Sequence, residues 1–177
     1  MSEIQTSYEI YLGLGSNLGD RLDNLRTAIK HLGDHYISPK LFSSLYETSP
    51  WGYTAQPHFL NATISATTHL NPDEILTNIK LIESNMGRTK NDIRWQERLI
   101  DIDILLIQEH VVDSMELQVP HIYLHERSFV LVPLAEISPD IIHPKIGLRI
   151  RSLRDLRPLL EKQSIVKISD RSWFIEN

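Results

Sequence analysis

The chain has 177 residues, with 18 Lys and Arg against 23 Asp and Glu for a formal net charge of −5, and 41% of it is hydrophobic. This length suits one domain spanning residues 1–177, and the apolar share excludes a disordered chain. The absence of cysteine excludes disulfides, a thiol nucleophile and Cys-based zinc sites, and the acidic balance argues against a general nucleic-acid binder.

The start, MSEIQTSYEIYLGLG, has no basic region followed by a long apolar run, so no secretory signal is expected. The longest apolar stretches, such as Ile104-Leu105-Leu106-Ile107, fall far short of the roughly 20 residues that cross a bilayer. The chain therefore reads as cytoplasmic, with no membrane partner.

In chain order, Tyr8–Leu14 alternates around Ile10, Leu12 and Leu14 and predicts a first strand. Gly13-Leu14-Gly15-Ser16-Asn17-Leu18-Gly19 breaks it. The third glycine comes too late for a dinucleotide fingerprint, and no Gly-Lys-Ser/Thr follows. Turn duty for the glycines and capping by Ser16 or Asn17 is the better reading. A helix follows with Leu22, Leu25, Ile29 and Leu32 on one side, and Gly33 is its expected stop. Lys40–Thr48 reads as a strand ending at Ser49-Pro50, and Phe59–Thr67 as a strand that pairs with it. Asn71-Pro72-Asp73-Glu74 is a helix start, with an Asn cap, Pro at the first position and acids in the first turn. That helix carries Ile75, Ile79, Ile82 and Met86 on its apolar face and stops at Gly87. The segment Leu99–Ile107 is a strand, Val111–Leu117 and Phe129–Leu134 lean toward strand, and Leu148–Leu160 holds a short helix. The order β-α-β-β-α-β predicts an α+β, ferredoxin-like antiparallel sheet with helices packed on one face, plus C-terminal additions.

Chemistry concentrates at Ile100-Asp101-Ile102-Asp103-Ile104. On a strand, alternate side chains share a face, so the two aspartates project together and the isoleucines point the other way. Two neighbouring carboxylates repel each other and resist leaving water. A divalent cation offsets that cost, and Mg²⁺ is typically held by one or two carboxylates plus substrate phosphates. Taken alone, the pair suits a solvated strand face equally well. Arg88, Lys90, Arg94 and Arg98, offset only by Asp92 and Glu97, lead directly into it. Guanidinium forks beside such a carboxylate pair suit polyphosphate transfer. The loop Thr48–Asn61 offers Trp51, Tyr53 and Phe59 for stacking a flat heterocycle and the Asn61 amide for its edge. Of the eight histidines, none sits in a recognised metal motif; His121, after Val119-Pro120, stands out as a phosphate or proton contact.

The segments Gly13-Leu14-Gly15-Ser16-Asn17-Leu18, Tyr46-Glu47-Thr48-Ser49-Pro50-Trp51-Gly52, Phe59-Leu60-Asn61, Arg94-Trp95-Gln96-Glu97-Arg98-Leu99-Ile100-Asp101-Ile102-Asp103-Ile104-Leu105, Val119-Pro120-His121 and Arg127-Ser128-Phe129 occur in this order. Together they resemble the 6-hydroxymethyl-7,8-dihydropterin pyrophosphokinase family, over about Tyr8 to Leu160. The resemblance implies transfer of pyrophosphate from ATP, the co-substrate, to the pterin hydroxymethyl group, with release of AMP, in folate biosynthesis. It implies two Mg²⁺ ions held by Asp101 and Asp103, with Arg88 and Arg98 completing the catalytic set. The pterin would stack between Phe129 and Trp51 or Phe59, its edge read by Asn61, Thr48 and Ser49. Nucleotide contacts would come from Lys80, Glu83, Arg88, Lys90, Arg94, Trp95, Arg98, Ile104, His121 and Arg127. Mobile loops would fall after Asn17, at Trp51–Phe59 and at Arg88–Arg98.

The chain departs from the family pattern at Ser49, often Pro; at Trp51, frequently Leu; at Gln96-Glu97, commonly Gly-Pro or Ala-Pro; at Ile122, often Tyr; and at Lys80, a Gln in some members. Residues 161–177 lie outside the resemblance and carry no functional reading. The expected partners are the two small-molecule substrates and no nucleic acid, on a monomer. Two alternatives stand beside this reading: a non-catalytic ferredoxin-like module binding RNA or a metabolite, and the same transferase acting on another flat hydroxymethyl heterocycle.

Overall fold

The computed structural model describes residues 7–50, 55–88, 97–108, 110–157 and 164–174. In chain order these form β1 (Tyr8–Ser16), α1 (Arg21–Asp34), β2 (Ser38–Phe42), β3 (Leu45–Thr48), β4 (Phe59–Thr68), α2 (Pro72–Asn85) and β5 (Asp101–Ile107). A small β6 (Val112–Asp113) and β7 (Gln118–Val119) ribbon, α3 (Ser128–Ile137), α4 (Ile150–Leu156) and β8 (Ile165–Ser169) follow. The main sheet runs β5-β1-β4-β3-β8, with β2 also paired to β4, and every pairing is antiparallel.

Local chemistry explains the two long helices. The Asn71 side chain accepts from the backbone N–H groups of Asp73 and Glu74, while Glu74 reaches back to the Asn71 N–H. That reciprocal cap satisfies donors the first turn would otherwise strand. Gly87, at φ +102°, follows the end of α2 as expected. Helix α1 differs from expectation at both ends. Asp20 is its cap, accepting from the Asp23 N–H, and the helix runs through Gly33 to Asp34. The left-handed residue beyond it is Tyr36, at φ +62°. Gly33 meets nothing within 4 Å of an added Cβ, so nothing there demanded a glycine.

Strand alternation divides the sheet into two faces. Ile10, Leu12 and Leu14 of β1, with Leu60, Ala62 and Ile64 of β4, pack under α1 and α2, whose Leu25, Leu32, Ile75, Ile79 and Ile82 complete the first core. The opposite face is not bare, as the helices-on-one-face expectation had it. Tyr11, Leu105 and Leu106 meet Val130, Leu131 and Leu134 of α3 and Ile150 and Leu153 of α4 in a second core. A β-bulge between β1 and β5 lets two successive residues of β5, Leu105 and Leu106, join this second core. Residues 129–134, expected as strand, lie in α3. Its buried Val130, Leu131, Pro133, Leu134 and Ala135 leave little polar face, so the 3.6-residue period that marks a helix is hidden by burial nearly all round.

The expected strand Lys40–Thr48 is two strands, broken at Ser43-Ser44. The Ser43 hydroxyl accepts from the Thr63 N–H at 2.9 Å, and Ser44 donates both its N–H and its hydroxyl to the Glu136 carboxylate. Tyr46 Oη and Arg171 Nε also donate to that carboxylate. Burial disfavours the Glu136 anion, yet these donors outweigh it and hold its carboxyl below the ordinary value of 4.5. A depressed carboxyl stabilises the fold above the unfolded-state pKa and loses that contribution as pH falls through the folded-state value. Glu136→Gln is therefore expected to melt below the wild type at pH 6, with the gap closing as the pH drops below 4.5. Melting temperatures of both proteins between pH 3 and pH 7, on the order of 1 °C resolution, check it; a gap independent of pH contradicts the assignment.

The C-terminal segment is built into the molecule. Trp173 is buried in the first core and its indole N–H donates to the Ser43 carbonyl at 2.8 Å. Arg26 of α1 donates to the Trp173 carbonyl, and Phe174 stacks on Phe42 with centroids 3.7 Å apart. Among the described residues no helix is long and apolar enough to cross a membrane.

Candidate active site

Helix α3 covers only the apolar half of its sheet face. On the other half, strand alternation presents Gly13 and Gly15 of β1, Thr48 of β3, Asn61 and Thr63 of β4, and Asp101 and Asp103 of β5, and these line one cleft. Arg88 and Arg98 close one side of it; His121, Tyr123, Arg127 and Phe129 close the other. Of the glycines expected in a turn, Gly13 and Gly15 are strand residues here, whereas Gly19, at φ +67°, does lie in the turn after β1. A Cβ on Gly15 would stand 2.8 Å from Asn61 Oδ1, so the absent side chain makes room for that amide.

One end of the cleft is ionic. Asp101 Oδ1 accepts from Arg88 at 3.0 Å and Arg98 at 2.9 Å. Asp103 Oδ2 faces Arg127 at 3.4 Å, and its Oδ1 faces His121 Nε2 at 3.8 Å. Burial and the adjacent Asp101 charge push the Asp103 carboxyl up, against the pull of Arg127. Glu83 sits beneath this group. Its Oε1 accepts from the Ile102 N–H at 2.8 Å and pairs with Arg88, and burial, then Asp101, raise its carboxyl to about 7. His121 is lowered to about 4, first by burial and then by the Arg127 charge. Its Nδ1 accepts from the Tyr123 N–H at 3.1 Å, so in the neutral ring the proton resides on Nε2, toward Asp103. The Arg127 guanidinium lies 5.0 Å from the Tyr123 ring and 5.5 Å from the Phe129 ring, between two aromatic faces that favour a cation.

The other end is neutral. Asn61 is buried, and its Nδ2 donates to Thr48 Oγ1 at 2.7 Å. Phe59 and Phe129 line the same space. A carboxamide and a hydroxyl between two rings match the edge and faces of a flat, hydrogen-bonding heterocycle.

Asn17, 2% exposed, ties the margins together. Its Oδ1 accepts from the Arg98 N–H at 2.8 Å, and its Nδ2 donates to Gln56 Oε1 and the Pro57 carbonyl. Expected as a helix cap, Asn17 instead brackets the loop after β1, the approach to β4 and the segment carrying Arg98.

Of the sequence-derived candidates, Thr48, Ser49, Phe59, Asn61, Arg88, Arg98, Asp101, Asp103, His121, Arg127 and Phe129 line the cleft. Glu83 lies one contact behind it. Lys80 is exposed on α2, and Ile104 points into the first core; neither lines the cleft. Trp51, Lys90, Arg94 and Trp95 lie outside the described residues. Gln56 and Tyr123 line the cleft without having been site candidates, and so does Ile122, named only as a departure from the family pattern. No spacing marks Gln56 or Tyr123, whereas the alternation of Gly13 and Gly15 with Leu12 and Leu14 is a readable sign of close approach on one strand face.

Two adjacent carboxylates suit a hard cation, whose remaining positions substrate phosphates and water would fill. Among the described residues no group of three or more His, Asp or Glu that could hold a metal ion occurs.

Residues 11–139 match the family model for 7,8-dihydro-6-hydroxymethylpterin-pyrophosphokinase (HPPK). A 2-amino-4-hydroxy-6-hydroxymethyldihydropteridine pyrophosphokinase of Aquifex aeolicus is 44% identical over 135 residues, covering 76% of this chain and 83% of its own length. The Bacillus subtilis protein of the same name is 44% identical over 132 residues, covering 74% and 78%. A folate synthesis bifunctional protein of Arabidopsis thaliana is 42% identical over 146 residues; the match covers 81% of this chain but only 30% of the longer protein. Among solved structures, wild-type Plasmodium falciparum HPPK-DHPS with pterin and p-hydroxybenzoate superposes over 88% of this chain and 42% of its own, with a TM-score of 0.68 at 20% identity. That likeness concerns the fold, a mixed α/β architecture around an antiparallel sheet. A family model covering most of the chain, and relatives this similar over three quarters of it, agree with the cleft: the chain belongs to the 7,8-dihydro-6-hydroxymethylpterin-pyrophosphokinase family.

Proposed function

We propose that the protein transfers pyrophosphate from ATP to the hydroxymethyl group of 6-hydroxymethyl-7,8-dihydropterin, in folate biosynthesis. The observation that carries the reading is the single cleft joining a carboxylate pair, faced by Arg88, Arg98, Arg127 and His121, to an amide-hydroxyl pair flanked by two phenylalanines. Asn61 and Thr48 read the pterin edge, Phe59 and Phe129 hold its faces, and Ser49 borders it. The cationic end holds the triphosphate. The substrate hydroxyl oxygen bonds to the β-phosphorus and gives up its proton to solvent, the bond from the β-phosphorus to the bridging oxygen breaks, and AMP leaves with that oxygen. Positioning and charge stabilisation supply most of the acceleration in such a transfer. Arg88 and Arg98 neutralise charge on the moving group, and neutral His121 donates from Nε2 at the Asp103 side. Asp101 and Asp103 would hold two Mg²⁺ ions, which would supply charge neutralisation to the triphosphate.

The remaining expectations belong to the same proposal: a ferredoxin-like sheet extended by β8, one domain over 1–177, and a cytoplasmic monomer without a nucleic-acid partner. Two aspartates on the open sheet face disfavour an RNA-binding module, whose ligand repels them. The test incubates the protein with ATP, Mg²⁺ and the reduced pterin alcohol and separates the products. AMP formed only when the pterin is present is expected; ADP, or nucleotide left intact, overturns the reading.

A further inference from the structure

The C-terminal strand lies beyond the family match, which ends at residue 139, yet it reaches the cleft. In β3, Tyr46, Glu47 and Thr48 pair with Asn61, Leu60 and Phe59 of β4. With that neighbour alone, β3 would be a four-residue edge strand ending at Thr48. Short edge strands fray at their ends, and here the end carries Thr48, the acceptor for Asn61, followed by Ser49. Strand β8 removes that edge. Thr48 pairs with Ile165, Glu47 with Val166 and Tyr46 with Lys167. One residue further, the Ser49 N–H donates to the Ser164 carbonyl at 3.2 Å and the Ser164 N–H donates to Ser49 Oγ at 3.3 Å. Ser49 itself lines the cleft. The clip needs a backbone N–H and a hydroxyl at position 49, and serine supplies both; a proline there supplies neither. Below β8, the segment is anchored by Trp173 in the core and by Arg171, which donates to the carboxylate and carbonyl of Glu136.

We infer that β8 is a positioning element for the heterocycle end of the cleft, with Ser164 clipping Ser49 so that Thr48 and Ser49 are held ready for substrate. The inference rests on the proposed pterin chemistry for its readout. Ser164 acts only through its backbone, so Ser164→Ala leaves both substrate KM values unchanged. Ser164→Pro deletes the donor to Ser49 Oγ. Loss of about one hydrogen bond's worth of order corresponds to a roughly five- to tenfold rise in the pterin KM, with the ATP KM and the melting temperature nearly unchanged. Val166→Pro, at an exposed position opposite Glu47, repeats the test within the strand should the first variant fold poorly. Amide hydrogen exchange at Thr48 and Ser49 is expected to quicken in the same variants. Unchanged pterin KM and unchanged exchange in a folded proline variant overturn the inference. Equal rises in both KM values overturn it as well, because a general loss of structure would produce them. A wild-type protein that makes no AMP overturns the proposed function instead, and the exchange measurement still decides whether β8 orders the end of β3.

Discussion

Replacing Asp103 or Asp101 with alanine is expected to lower turnover roughly 10²- to 10³-fold, the size of a single strong electrostatic contribution in a transfer site. The two variants should differ in how they fail. Asp101 Oδ1 accepts from both Arg88 and Arg98, so Asp101→Ala removes a carboxylate shared by two guanidinium groups. Arg88 keeps its pair with Glu83, and both groups have one carboxylate fewer to set against phosphate oxygens. Asp103→Ala leaves Arg88 paired with Glu83 and with Asp101 and frees Arg127 from its carboxylate. Nucleotide affinity without metal should accordingly rise or hold in both variants, as like charges leave the triphosphate site, while turnover with Mg²⁺ collapses. Steady-state rates at saturating substrates, with calorimetric titration of ATP in the presence and absence of Mg²⁺, check both halves. Near-normal turnover in either alanine variant would remove the carboxylate pair from the mechanism.

The second large effect concerns the heterocycle. Asn61→Ala should weaken pterin binding roughly 10²-fold while leaving ATP binding within about twofold, since an edge-reading amide that is lost strands the partners it satisfied. Gly15→Ala provides an independent route to the same outcome. The new methyl group would lie 2.8 Å from Asn61 Oδ1, so the amide must turn away, and its bond to Thr48 is lost with it. Separate titrations of pterin and nucleotide distinguish this from general damage: equal weakening of both ligands by Asn61→Ala would show that Asn61 supports the cleft rather than reads the pterin.

The parts of the fold that were legible in the sequence are those whose causes are local. Helix α2 announced itself because its cap, its first-turn acids and its proline all lie within Asn71–Glu74. Strand β5 was legible because Asp101 and Asp103 alternate with buried isoleucines. Helix α3 was not: with β-branched residues, an internal Pro133 and burial on several sides, its helical period is invisible until a sheet lies below it and α4 beside it. The same holds for the break at Ser43-Ser44, where two serines leave the strand to satisfy Thr63 and a glutamate 92 residues away.

The site divides along the same line. Residue chemistry and spacing pointed to the carboxylate pair, to Arg88 and Arg98 near it, and to Asn61 with Phe59, and these line one cleft. Trp51 and Tyr53, named with them, lie outside the described residues. Only the folded chain brought Arg127 and His121 onto Asp103, placed Glu83 behind Arg88, turned Ile104 and Lys80 away from the cleft, and made Asn17 a bracket rather than a cap. A strand's alternation dictates which side chains share a face. Which face stays open is decided by what packs over it, and here a helix covers the apolar half and stops where the polar half begins.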